Sequence, residues 1–326
     1  MSELTDEVPC FDKKKAADVA LGLYGIKGEM IPLNSFEDQN FLIKTTANKF
    51  VLKIANKRWT EDELNVQNLL FDHLQISAPE VPWPQVIRSK NGEAMTNIDG
   101  FSVRLLTFLE GTILADVEQN SALNKSIGEM LGQFSKAVQS FPGTVPSRPN
   151  DYWNLDNVIA CKVFIQDVDD EETRMRIDRY YAHYEQHVLP KIDDLKKATI
   201  HGDANEQNLL VDKNDSTKIV GLIDFGDLQR ATHINDLAIL IAYSLLDVAD
   251  IDSAANEIIN GYKEEFPIEE KEFEVLFDLV AMRLISSIIL SSKRAKEFPE
   301  NLYILASQKP AKELLEKMET WEFKRA

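Results

Sequence analysis

The chain has 326 residues, 44% apolar and 28% charged, a globular balance that excludes disordered and fibrous classes. With 36 Lys and Arg against 54 Asp and Glu, the net charge is −18, which argues against nucleic acid and anionic lipid as partners, because both select basic surfaces. The two cysteines, Cys10 and Cys161, exclude a disulfide scaffold and suit a reducing compartment.

A first helix is expected over residues 13–24 and a strand over 25–33. Residues 41–46 and 50–55 are apolar, β-branched runs split by Thr46-Ala47-Asn48-Lys49, a hairpin signal. A helix over 61–74 follows, with Leu64, Leu69, Leu70 and Leu74 near helical spacing. Pro79, Pro82 and Pro84 cannot sit inside a helix and mark an extended link. Strands near 85–88 and 101–109, with a turn at Asn91-Gly92, complete a strand-rich segment. Beyond Gly111 helices are expected over 121–140, 171–188, 235–247, 253–266, 270–292 and 311–321, interrupted by one strand-rich island at 198–227. Strands and helices are segregated, so the expected class is α+β, with a smaller unit at 1–109 and a helical unit at 110–326. The first fifteen residues carry acidic side chains and no apolar segment, unlike a secretory signal. The apolar stretches 237–246 and 279–290 fall short of the ~20 residues that span a bilayer. The expectation is a cytoplasmic protein without a membrane partner.

The island carries the chemistry. It reads His201-Gly202-Asp203-Ala204-Asn205-Glu206-Gln207-Asn208 after one apolar strand and Asp224-Phe225-Gly226-Asp227 after another. Asp203 and Asn208 lie five apart across a loop, so both can turn toward one site. Asp203, Asn208 and Asp224 offer only oxygen ligands, which suit a hard cation such as magnesium (Mg2+) and not zinc or copper.

In this order and spacing the two segments resemble the catalytic loop and magnesium loop of protein-kinase-like phosphotransferases. Gly follows His in H-G-D-x-x-x-x-N, the form found in the aminoglycoside phosphotransferase and choline kinase family, which phosphorylates small molecules. The resemblance implies a bilobal kinase-like fold, with an antiparallel-sheet nucleotide-binding lobe and a helical lobe that holds the catalytic loop and substrate site. It implies a strand lysine gripping the phosphates of the donor, and Val51-Leu52-Lys53-Ile54 supplies Lys53. The phosphate loop at 33–41 departs from the glycine-rich pattern, having no glycine, so Ser35, Gln39 or Asn40 would assist with side chains. Kinases pair the strand lysine with a glutamate; here Gln67 falls nearest the expected place, with Glu63 as the alternative.

Four stretches, 36–42, 104–111, 152–155 and 201–208, are similar to the branch of this family that acts on 5-hydroxy-L-lysine with GTP as donor. The similarity runs from about residue 36 to 247. By that resemblance Asp203 accepts the hydroxyl proton, Asn208 and Asp224 hold magnesium, and residues 107–110, with Thr107 and Leu109, contact the base of GTP or ATP. An acidic protein suits a small cationic amino-alcohol substrate, although solubility explains the charge as well. Glu206, Asp227 and Asp151 are candidates for its ammonium groups, and Trp153 for a pocket wall or a core residue. His201 is read as a structural hydrogen-bonder, and Asp236 as a helix cap or loop brace. His183 and His187, at i and i+4, read as a solvated helix face rather than a metal pair. Two rival readings remain: a kinase for another small alcohol such as homoserine, choline or an aminoglycoside, and a catalytically silent nucleotide-binding kinase fold.

Overall fold

The computed structural model describes residues 8–35, 38–300, 302–305 and 307–321. The chain divides into two compact units: Met1–Glu110 with Ser140–Thr144, and Gly111–Gln139 with Val145–Ala326.

In the first unit Asp12 caps α1 (Lys13–Val19), which runs on through a wider turn to Tyr24 and stops at the left-handed Gly25. Six strands follow: β1 (Glu29–Leu33), β2 (Gln39–Lys44), β3 (Lys49–Ile54), β4 (Val86–Ile87), β5 (Thr96–Ile98) and β6 (Phe101–Thr107). They form one antiparallel sheet in the order β1-β2-β3-β6-β4, with β5 also on β6. Strand alternation sends Phe41, Ile43, Leu52, Ile54, Val103 and Leu105 into a core with Ala16 and Ala20 of α1. The cross-strand row Asn40–Lys53–Arg104 therefore lies on the opposite face. There α2 (Glu61–Ser77) is held by Arg104, as described below. Its start is a capping box in which Thr60 and Glu63 satisfy each other's backbone.

The second unit holds, in chain order, β7 (Thr112–Ile113), α3 (Ser121–Ala137), a run of 3-10 turns at Leu155–Asp167, α4 (Glu171–His187), α5 (Leu189–Ile192), β8 (Lys197–Ile200), β9 (Leu209–Val211), β10 (Ile219–Leu222), β11 (Gln229–Thr232), α6 (Ile234–Ser244), α7 (Ile251–Glu265), α8 (Glu270–Phe273), α9 (Leu276–Glu297) and α10 (Gln308–Met318). The helix pair α3 and α7 packs backbone to backbone: a Cβ on Gly128 would stand 1.9 Å from the Ile258 carbonyl oxygen. Two small ladders, β10-β9-β7 and β11-β8, carry the loops of interest at their ends.

The class is α+β, as the segregated pattern requires. One local expectation needs correction, and two further elements were not among those expected. The strand β5 lacks an apolar run and was not foreseen. The helix expected over 270–292 is two helices, because Val275 N donates to Glu272 O in a tight turn that breaks the α pattern. The segment Leu155–Asp167 is helical in short turns, kinked at Asn157. Among the described residues no helix is long and apolar enough to cross a membrane.

Candidate active site

His201 follows β8, and Asn208 immediately precedes β9. Gly202 between His201 and Asp203 has φ +82°, and a Cβ there would lie 2.4 Å from the Asp227 carbonyl oxygen. Only glycine fits a backbone that is both left-handed and pressed against the second loop. This explains H-G-D in place of H-R-D in this chain. Asp236 of α6 braces the turn, accepting from His201 N at 2.8 Å and Gly202 N at 2.9 Å. It is therefore the loop brace of the two alternatives; the helix cap position belongs to His233. Burial pushes the Asp236 carboxyl up to about 6.

His201 joins the two loops. Asp203 N donates to its Nδ1 at 3.3 Å, so Nε2 carries the hydrogen and donates to Ile223 O at 3.1 Å. Burial pushes the imidazole down to about 4, which keeps it neutral and removes it as a proton carrier near neutral pH. Phe225 packs on the same ring, with centroids 4.7 Å apart.

Asp203 is held at both oxygens. Arg283 of α9 donates to Oδ1 at 3.0 Å, and Asn208 Nδ2 donates to Oδ2 at 3.1 Å and to the Asp203 carbonyl at 2.9 Å. Burial raises the Asp203 carboxyl to about 8; Arg283 opposes the rise, while Asp227 and Asp224 add to it. Asp227 is likewise raised, first by burial, despite Arg148 Nη1 at 3.4 Å from its Oδ1. Arg148 also donates to Gly226 O at 3.0 Å.

Asp224 is exposed, and its φ of +60° puts a non-glycine residue in the left-handed region. Asp tolerates this better than most residues, yet the conformation costs on the order of 1–3 kcal/mol and concentrates at functional loops. Ile223 N donates to Asn208 O at 2.9 Å, so the two loops run side by side. Among the described residues no group of three or more His, Cys, Asp or Glu is placed to hold a metal. The donors on hand are the Asp224 carboxylate and the Asn208 amide oxygen, whose amide nitrogen is tied to Asp203. That set fits magnesium, which takes one or two protein carboxyl oxygens and completes its shell with water and phosphate. The mutual repulsion of Asp203, Asp224 and Asp227 fits a cation as well.

The remaining site residues of the second unit gather around Arg283. Trp153 O accepts from Arg283 Nη1 at 3.0 Å, and its ring centroid lies 5.0 Å from the guanidinium carbon. Glu206 is half-buried, and its Oε2 is sealed from solvent without a hydrogen-bond partner among the described residues. Burial raises its carboxyl to about 7. His183, read as solvated, pairs with Asp278 at 3.1 Å.

In the first unit Asn40 stands beside Lys53 across β2 and β3, and its Oδ1 is buried without a hydrogen-bond partner among the described residues. Gln67 serves a cation other than the one expected: its Oε1 accepts from Arg104 Nη2 at 2.9 Å. Arg104 also donates to Asn68 Oδ1 and Leu64 O, both at 3.2 Å, which fastens α2 to the sheet. Glu63 is engaged in the capping box at the helix start. Gln39 is taken up elsewhere, exchanging two hydrogen bonds with the backbone of Phe11. Thr107 donates its N–H to Gln85 O and accepts Gln85 N at Oγ1, both at 2.9 Å; Leu109 lies just beyond the end of β6. Ser35 is exposed between β1 and β2; its neighbours Phe36 and Glu37 lie outside the described residues.

Sequence reasoning passed over Arg283, Arg104 and Arg148. The first two had a legible signal: a lone arginine inside an apolar run, in α9 and β6, is a charge that the fold must bury and pair.

The architecture is that of the kinase-like phosphotransferases. A solved amicoumacin kinase, in complex with AMP-PNP, Ca2+ and Ami, matches 96% of each chain with a TM-score of 0.73 at 14% identity. The chain belongs to the phosphotransferase enzyme family, whose model matches residues 29–272. It is a small-molecule phosphotransferase with an alcohol group as acceptor. It is 29% identical to hydroxylysine kinase of Xenopus laevis over 92% of this chain and 87% of the relative. Homoserine kinase of Zymomonas mobilis subsp. mobilis is also 29% identical, over 81% of this chain and 82% of the relative.

Proposed function

We propose that the chain transfers the terminal phosphate of GTP or ATP to the side-chain hydroxyl of 5-hydroxy-L-lysine in the cytoplasm. The observation that carries the chemistry is the Asp203 carboxylate, fixed between Arg283 and Asn208 with Asp224 on the adjoining loop. The acceptor is chosen by similarity: hydroxylysine kinases align over about nine-tenths of this chain. The free thiols Cys10 and Cys161 support a reducing compartment.

The substrate oxygen attacks the terminal phosphorus, the bond to the bridging oxygen breaks, and the nucleoside diphosphate leaves. Ionised Asp203, the form that Arg283 and a cation beside Asp224 favour, takes the proton released from the hydroxyl. Asn208 and Asp224 would hold magnesium, which when bound would supply charge neutralisation for the phosphates. Lys53 contacts the α- and β-phosphates, with Asn40 and Ser35 assisting. Its neighbour Arg104 is the residue that Gln67 holds, so Gln67 acts on the nucleotide only through that face of the sheet. Thr107 and Leu109 offer main-chain groups to the base. Asp227 and Glu206 receive the ammonium groups of a cationic amino alcohol, and Trp153 lines the acceptor side.

A second reading, a homoserine kinase, is favoured by the match to the Zymomonas enzyme. Nucleoside diphosphate release with magnesium, from GTP and from ATP, across 5-hydroxylysine, lysine, homoserine, choline, ethanolamine and an aminoglycoside separates the two. Turnover with 5-hydroxylysine and not with lysine is expected. Turnover with homoserine alone keeps the kinase and replaces the acceptor; bound nucleotide with no turnover on any of them returns the silent-fold reading.

A further inference from the structure

We infer that Arg283 is a positioning residue that aligns Asp203 for phosphoryl transfer, an assignment that rests on Asp203 being the proton acceptor. The Arg283 side chain is 3% exposed. One terminal nitrogen donates to Asp203 Oδ1 and the other to Trp153 O, each at 3.0 Å. The guanidinium also lies against two rings, 5.0 Å from the centroid of Trp153 and 5.2 Å from that of Tyr243. A planar cation held at both nitrogens and packed on aromatic rings has no room to rotate.

Asp203 inherits this rigidity. Its Oδ1 is tied to α9 through Arg283 and its Oδ2 to Asn208, so the plane of the carboxylate is set from two sides. Each oxygen keeps a lone pair that can accept a proton. Arg283 sits among the apolar and small side chains of α9, and an apolar side chain would serve packing there at no desolvation cost. What the arginine adds is the hold on Asp203 and on the turn at Trp153.

The test is a double-mutant cycle on the full chain: Arg283→Met, Asp203→Asn, and the two combined, read by single-turnover release of nucleoside diphosphate with magnesium, GTP and 5-hydroxylysine, or whichever acceptor of the panel turns over. Arg283→Met is expected to lower the rate by roughly 10²-fold, the size of effect that misplacing a reacting group by about 1 Å produces. The KM for nucleotide should stay within about threefold. In the Asp203→Asn background the same change should cost almost nothing, because the group it acts through is already disabled. Equal losses in both backgrounds, or a loss confined to KM, overturn the assignment and leave Arg283 a structural residue. If Arg283→Met shows no cooperative thermal unfolding, Arg283→Lys takes its place in the same cycle; lysine keeps the charge but cannot bridge both acceptors, and the same non-additivity is expected. Wild-type rates from Asp203→Asn alone sink the proton-acceptor reading itself, an outcome separate from additivity in the cycle.

Discussion

The two units bury charge in opposite ways. On the sheet of the first, the cations Lys53 and Arg104 stand in a row beside neutral amides: Asn40 next to Lys53, and Gln67 and Asn68 on Arg104. In the second, carboxylates crowd together at Asp203, Asp224 and Asp227, and arginines 283 and 148 offset them only in part. Arg104 is held by amide and carbonyl oxygens that accept from its terminal nitrogens. Carboxylates among themselves repel and suit a cationic ligand. In the proposed function the phosphates fall to the first unit, and metal and ammonium to the second.

The strongest test removes a carboxylate from the second cluster. Asp224→Ala should cut turnover by roughly 10³-fold, since a metal ligand and several kcal/mol of charge stabilisation go together. Raising magnesium should recover part of the rate, and recovery by potassium instead would break the contrast. In the first unit, Arg104→Met strands Gln67, Asn68 and the Leu64 carbonyl. Loss of about 3 kcal/mol in urea unfolding is expected, as for leaving buried neutral acceptors without their donor.

A third test concerns His201, whose folded pKa of about 4 lies below the ordinary 6.5. The unfolded chain binds the proton first, so the stability that neutral His201 contributes is complete above pH 6.5 and is lost as pH falls toward 4. Relative to His201→Asn, the wild type should lose roughly 3 kcal/mol across that window. Asp236, raised to about 6, gives the opposite slope in both proteins and cancels in the difference. The smallest effect belongs to Lys53→Met, which should weaken nucleotide binding about tenfold, near 1.4 kcal/mol. Unchanged binding by titration calorimetry would separate Lys53 from the phosphates.

How much of this was legible depended on how local the cause is. The alternation in residues 50–55 announces β3 and puts Lys53 with Val51 on the face away from Leu52 and Ile54. Asp203, Asn208 and Asp224 are readable because each sits near a strand end within the one stretch 203–224. Arg283 is 80 residues from the carboxylate it holds, and nothing in a linear pattern pairs them. The same holds for Gln67: helix position made it a neighbour of Lys53, whereas the rung beside Lys53 is Arg104, a stronger donor for a buried amide oxygen. The strand β5 was hidden for another reason. It is three residues long and owes its form to the turn at Asp99-Gly100, where both residues have positive φ.

The clamp of Gln39 on Phe11 has a practical corollary for spectroscopy. Phe11 is buried and pinned at both its N–H and its carbonyl, while Cys10 just before it is exposed. The chain's other thiol, Cys161, is buried and pushed up to about 12, so it is a poor nucleophile. A maleimide dye should therefore attach to the natural sequence at one position, one bond away from an anchored backbone. A fluorophore there would report on the start of β2 without any residue being exchanged.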